Sequence, residues 1–264
     1  MVFGLFKKAL LLDESSVEWL YEAYAWSLTQ FGSEYFYQKT ILVEPTDNHF
    51  PGKANDPQSM AELILGKVKQ YAGVDAWPCR LLDHNQASFD INQLPALPEL
   101  LSMKNDNPND PSALVLLYEP MQVRKPEVMI ASFSHLIAHH MGYLASEKPP
   151  CDDDQWFHMA ELVAIFMGFG LMLANTASPY RGGGCARCVS PLLERTGHLS
   201  EDEVAYALAI FSVLKSISDK SVIKHLKRSL IPLYKRAVDE IKTDERRLKK
   251  LKAIRSNPSF RSVE

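Results

Sequence analysis

His135 and His139 stand four residues apart, so on a helix their imidazoles project from one face, one turn from each other. Two rings at that spacing can grip a single divalent ion, with a third ligand supplied by another element. The shared face carries Ala131, Ser132, Ala138 and Gly142, small side chains that let a second helix approach closely. The next apolar stretch offers Glu161, with His158 three residues earlier on the same face and Ala164 and Gly168 continuing it. A buried carboxylate without a partner is very costly, and a cation shared with the two histidines would supply one. Four of the eight histidines fall between His135 and His158, so this stretch is where metal chemistry is to be sought. Two histidines on a helix can also be core or interface residues that bond to backbone. His140 points about 100° away from His139, which suits packing better than ligation.

Helices and strands must position these groups. Asp13-Glu-Ser-Ser opens a helix capped by Ser15 or Ser16, with Val17, Leu20, Tyr21, Tyr24 and Leu28 at helical spacing. Lys39–Val43 is a short β-rich run. Asp56-Pro57 opens a helix whose apolar stripe is Met60, Leu63, Ile64, Val68 and Tyr71. Cys79–Leu82 and Ala113–Tyr118 read as strands, with a polar loop, Asn105–Pro111, between them. From Pro126 onward the pattern predicts helices over 126–145, 154–176, 201–217 and 221–250. Ser200-Glu-Asp-Glu203 has the form of a capping box. The expected fold class is α+β. Residues 1–120 form an N-terminal part with a small sheet, 121–255 a helical part carrying the histidine helix, and 256–264 a disordered tail.

Ser134-His135-Leu136-Ile137-Ala138-His139-His140-Met141-Gly142 resembles the His-Glu-x-x-His helix of the zincin metallopeptidases. Glu161 lies 22 residues beyond His139, close to where the gluzincin branch takes its third ligand. Glu161-Leu-Val-Ala-Ile-Phe-Met-Gly-Phe-Gly170 is similar to a segment that follows such a helix in an uncharacterised bacterial family, and Gly197–Ala209 also looks family-like. The resemblance implies a zinc (Zn) ion on His135, His139 and Glu161, with His158 as substitute ligand or supporting group. A third ligand four residues before Glu161 would fall on Phe157, one step from His158. The motif's glutamate, which takes the proton from metal-bound water, is Leu136 here. Leucine can do no proton transfer, so the resemblance implies a metal-binding protein without peptidase activity.

Cys185-Ala-Arg-Cys188 lies in a Gly-rich stretch beside Arg181 and Arg187, whose charge would lower a thiol pKa. A metal or redox role for Cys185 and Cys188 is conceivable, but no βαβ unit surrounds them and no second pair completes a zinc knuckle. The four cysteines in 264 residues fit a reducing, cytoplasmic setting better than a disulfide framework. The aromatic residues between Trp19 and Tyr37 are expected in the core. Net charge is −3, yet Lys220–Glu264 holds 14 Lys/Arg against 5 Asp/Glu. That basic end is read as a solvated helix end, so neither nucleic acid nor membrane is expected as partner. The apolar run Leu162–Ala174 has 13 residues, short of the roughly 20 that span a bilayer. No secretory signal, Gly-rich phosphate loop or Ser-His-Asp arrangement is apparent. A metal-binding zincin-like protein is thus the leading expectation. Its rivals are a non-catalytic module binding a protein or peptide partner through a metal-free relic site, and a hydrolase with an unconventional base.

Overall fold

The computed structural model describes residues 10–83, 114–152, 155–177 and 197–255. Helix α1 (Glu14–Phe31) is capped by Asp13, whose carboxylate accepts the Ser16 amide at 2.9 Å. Asp13, not Ser15 or Ser16, is therefore the cap, and both serine hydroxyls bond back to it. A carboxylate also complements the positive end of the helix. Val17, Leu20, Tyr21, Tyr24 and Leu28 are all buried as their spacing requires. The chain turns at Gly32, at φ 95°, into the short helix α2 (Ser33–Gln38).

The aromatic residues of this region fill the core. Phe36 stacks on Phe166 with ring centres 4.6 Å apart and meets Phe211 edge-on. Helix α3 (Pro57–Ala72) has Asp56 as cap and ends at Gly73 in the left-handed conformation. Its buried face is Ala61, Ile64, Leu65, Val68 and Ala72. The expected face is rotated: Ala61, Leu65 and Ala72 are buried, whereas Met60, Leu63 and Tyr71 are only partly so.

Strands β1 (Cys79–Asp83) and β2 (Leu114–Tyr118) pair in parallel, Cys79 opposite Leu114. The β-rich run Lys39–Val43 does not join this sheet. Instead the Val43 amide donates to the Gly168 carbonyl at 3.0 Å.

That bond explains how the long apolar helix is broken. Helix α4 (Pro126–Gly142) packs on helix α5 (Trp156–Ala164), which loosens into a π-helical turn (Ile165–Phe169) before resuming as α6 (Gly170–Thr176). Gly168 has φ 103°, and a Cβ there would lie 2.1 Å from the Ile41 carbonyl oxygen. Only glycine permits both that dihedral and that approach. The 21 residues Trp156–Thr176 are long and apolar enough to cross a membrane, but 89% of the most apolar stretch is buried within the protein, as befits a core helix.

Helix α7 (Glu201–Leu214) begins with the expected capping box, Ser200 and Glu203 satisfying each other. The expected single helix over 221–250 is three: α8 (Asp219–Ile223), α9 (Ile231–Thr243) and α10 (Glu245–Ala253). Pro232 lacks the N–H that a helix interior needs, so a new helix starts there. Asp244 caps the last one, accepting the Arg247 amide at 3.0 Å. Arg247 then clamps α10 to α1 through Glu14 and Glu18. One hydrophobic core runs from Val17 to Leu251, and the protein is α+β with helices predominating.

Candidate functional site: a cluster of imidazoles and aromatic rings

The start of α5 is fixed from α1. The connection after α4 is gripped by the Trp19 indole on the Pro150 carbonyl (3.0 Å) and the Trp26 indole on the Glu147 carbonyl (3.1 Å). Gln30 adds its side-chain oxygen, which accepts the Ser146 amide and hydroxyl at 2.9 Å each. At Gly142 the last turn of α4 leaves room for the Trp156 ring, since a Cβ there would lie 1.7 Å from it. The small face predicted for α4 thus admits a neighbouring helix, and that helix brings Trp156, Phe157 and His158.

Five imidazoles meet at this junction. His139 lies 5.4 Å from His140 between ring centres, and it stacks on Phe157 at 5.2 Å. Phe157 in turn stacks on His198 at 5.2 Å. His198 is 5.3 Å from His135 and 5.7 Å from His158. Tyr143 and Trp156 extend the cluster past His139 at 5.3 and 5.8 Å. His198 is the member that sequence reasoning missed as a functional residue. Its one signal was its place in the family-like Gly197–Ala209 stretch, and nothing in spacing ties it to residues so far back in the chain.

His135 Nε2 lies 3.2 Å from the Phe157 carbonyl oxygen. A carbonyl can only accept, so Nε2 carries the proton and is not presented as a metal donor. Burial lowers the pKa of His139. His140 is lowered to about 4, by burial first and then by the charge of His139. His158 is partly buried, and its Nδ1 is shut from solvent without a hydrogen-bond partner among the described residues.

Glu161 is fully buried. Its Oε2 accepts the backbone amides of His198 (2.7 Å) and Leu199 (2.9 Å). The carboxylate thus has partners, as its burial demands, among them two amides of the chain entering α7.

The structure therefore gathers His135, His139 and His158 into one neighbourhood, and turns Glu161 to another task. Among the described residues no group of three or more His, Cys, Asp or Glu is arranged to hold a metal ion. Imidazoles sharing one zinc, with Zn–N of about 2.0–2.1 Å, have ring centres about 5 Å apart. His139 and His198 are instead separated by an entire phenyl ring, and Leu136 supplies no base. As placed, His139 and His198 do not share an ion, and Glu161 offers Oε2 to two backbone amides. Cys185 and Cys188 lie outside the described residues, while Cys79 is a free thiol whose pKa burial raises to about 11.

No family model matches the chain, and neither a curated protein nor a solved structure resembles it significantly.

Proposed function

We propose that this is a non-catalytic protein whose zincin-like histidine helix is a metal-free relic, reused as a binding face for a protein or peptide partner. The observation that carries the reading is the Phe157 ring standing between His139 and His198, within stacking distance of both. Glu161, engaged with backbone amides, and Leu136, unable to move a proton, support it further. The exposure of two rings of this cluster supports the binding face: Tyr143 is 58% and Phe157 49% accessible. Clustered exposed apolar surface marks interaction sites more often than scattered residues do.

The test begins with metal analysis of protein purified without a histidine tag. Substoichiometric metal is the expected result, and one tightly held equivalent overturns the reading. A photo-crosslinking amino acid placed at Tyr143 or at Phe157 in cells should then give protein adducts that the same group at exposed Lys249 does not. Equal labelling from all three positions removes the binding face.

A further inference from the structure

The start of the chain and its last helix meet, and we infer that together they form a docking surface for an anionic lipid bilayer. The surface involves α1, α9 and α10 rather than α4 and α5, so it stands independently of the function proposed above.

Helix α10 reads Glu-Arg-Arg-Leu-Lys-Lys-Leu-Lys-Ala. Leu248 and Leu251 are its buried positions, while Arg246, Lys249, Lys250, Lys252 and the following Arg255 are exposed. Arg247 is drawn inward onto Glu14, Glu18 and Asp244, with its guanidinium over the Tyr21 ring. Glu245 is the one acid in α10, and it pairs with Lys249 at 2.8 Å. The carboxylates nearest the chain start are engaged as well. Asp13 accepts from Ser15 and Ser16, Glu14 and Glu18 hold Arg247, and Glu240 takes Arg236 and the Leu11 amide. The outer face of α10 is therefore net cationic.

Taken alone, such a face is a solvated helix end, as its sequence suggests. Its neighbour changes the reading. The Leu11 amide donates to Glu240 Oε1 at 3.0 Å and Glu14 pairs with Arg247, so the chain enters α1 beside the elbow between α9 and α10. Leu10 is 55% exposed there, and the residues before it are Met-Val-Phe-Gly-Leu-Phe-Lys-Lys-Ala. At about 100° per residue, Val2, Phe3, Leu5, Phe6, Ala9 and Leu10 fall within an arc of about 160°, opposite Gly4, Lys7 and Lys8. Bulky apolar side chains on one side and lysines on the other suit a segment that lies in a membrane interface rather than across it. A basic patch beside it adds attraction to anionic headgroups. Stable anchoring takes two such signals, and here the fold sets them side by side. Nucleic acid is the rival polyanion, but α10 carries no aromatic side chain for bases to stack on, and phosphates make no use of the apolar segment.

The experiment sediments the tag-free full chain with phosphatidylcholine vesicles, with and without phosphatidylserine. Binding to the mixed vesicles should exceed that to phosphatidylcholine alone by at least about tenfold at low salt, and fall as salt rises. Phe3→Ser/Phe6→Ser should lose about tenfold or more, whereas Phe3→Leu/Phe6→Leu should bind as the natural chain does. Lys249→Gln/Lys250→Gln/Lys252→Gln should lose at least as much. Lys53→Gln/Arg124→Gln/Lys125→Gln removes the same charge from exposed positions on other elements, and should leave binding within about twofold. Circular dichroism and thermal melts confirm that each variant is folded. No preference for anionic vesicles, unchanged binding by Phe3→Ser/Phe6→Ser, or equal loss in the two charge-removal variants overturns the surface. Tighter binding to an oligonucleotide duplex than to vesicles, lost with Lys249, Lys250 and Lys252, overturns it in favour of nucleic acid.

Discussion

Oε2 of Glu161 lies 2.7 Å from the amide nitrogen of His198, so the residue placed to be a third metal ligand instead anchors the chain that leads into α7. The same oxygen takes the Leu199 amide at 2.9 Å. Bonds from N–H groups to a carboxylate are stronger than neutral ones; the one from Leu199 is buried and the one from His198 partly so.

Replacing Glu161 by Ala should therefore cost about 3–5 kcal/mol, because a buried and a partly buried donor lose their acceptor and a cavity opens. Glu161→Gln keeps an oxygen able to accept both amides and should cost about 1–2 kcal/mol. Urea unfolding of the two variants measures the difference. Equal, small losses would show that the carboxylate is replaceable by water and does not anchor the segment.

Two glycines mark close approaches of different hardness. At Gly142 the obstacle to a Cβ is the far end of the Trp156 ring, 1.7 Å from where that atom would stand, and the Trp156 indole N–H has no partner to lose among the described residues. Gly142→Ala should push that ring outward at a cost of about 1–3 kcal/mol, with a red shift in tryptophan emission. At Gly168 the obstacle is the Ile41 carbonyl, 2.1 Å away, and φ is 103°. Neither can give way, so Gly168→Ala should be the worse of the two and leave little folded protein. The reverse ranking in thermal melts would contradict the close crossing of residues 41–43 over the π-helical turn.

The partly buried imidazoles of His139 and His140 should make the protein less stable in mild acid. His140 takes a proton in the folded protein only near pH 4, whereas in the unfolded chain it does so near about 6.5. The unfolded state therefore binds more protons between those values, and stability rises with pH by up to about 1.4 kcal/mol per unit for the group. The contribution is complete above about pH 6.5 and is lost on descending towards pH 4. His139, lowered in the same direction, adds to it. Thermal melts between pH 7.5 and 4.5 should fall more steeply for the natural protein than for His140→Gln. Parallel slopes would mean that acid acts elsewhere.

Local signals were the legible ones. The Asp56-Pro57 opening, the Ser200–Glu203 capping box and the two strands each depend on neighbours in sequence, and each is where the spacing places it. The helix bearing His135 and His139 was legible for the same reason, as was the small face that admits a partner helix. The π-helical turn was not, since only Gly168 and Gly170 interrupt an apolar run, and the cause is the distant Val43 amide. His198 was hidden likewise: its bond to Glu161 spans 37 residues, and no periodicity reports such a meeting. The break before α9 was available from Pro232 but was overridden by the amphipathic pattern on either side of it.

Peptide hydrolysis of the zincin type needs a base that reaches a metal-bound water, and general acid–base groups typically contribute about 10²–10⁴-fold. Leu136 cannot act so, being an apolar side chain packed against the core. Restoring the motif by Leu136→Glu supplies a carboxylate next to His135, which on sequence grounds alone could permit slow hydrolysis. The structure changes that expectation. On the proposed metal-free reading a new glutamate finds no ion to serve, since Oε2 of Glu161 accepts the amides of His198 and Leu199 and Phe157 parts His139 from His198. Natural protein, Leu136→Glu and Leu136→Glu/Phe157→Ala should therefore be compared on a mixed peptide library with added zinc. The first two should give no cleavage above buffer, and the double variant alone has both a base and an opened cluster. Cleavage by the natural protein that disappears in His135→Ala would show a working hydrolase, with its base supplied from a residue other than Leu136.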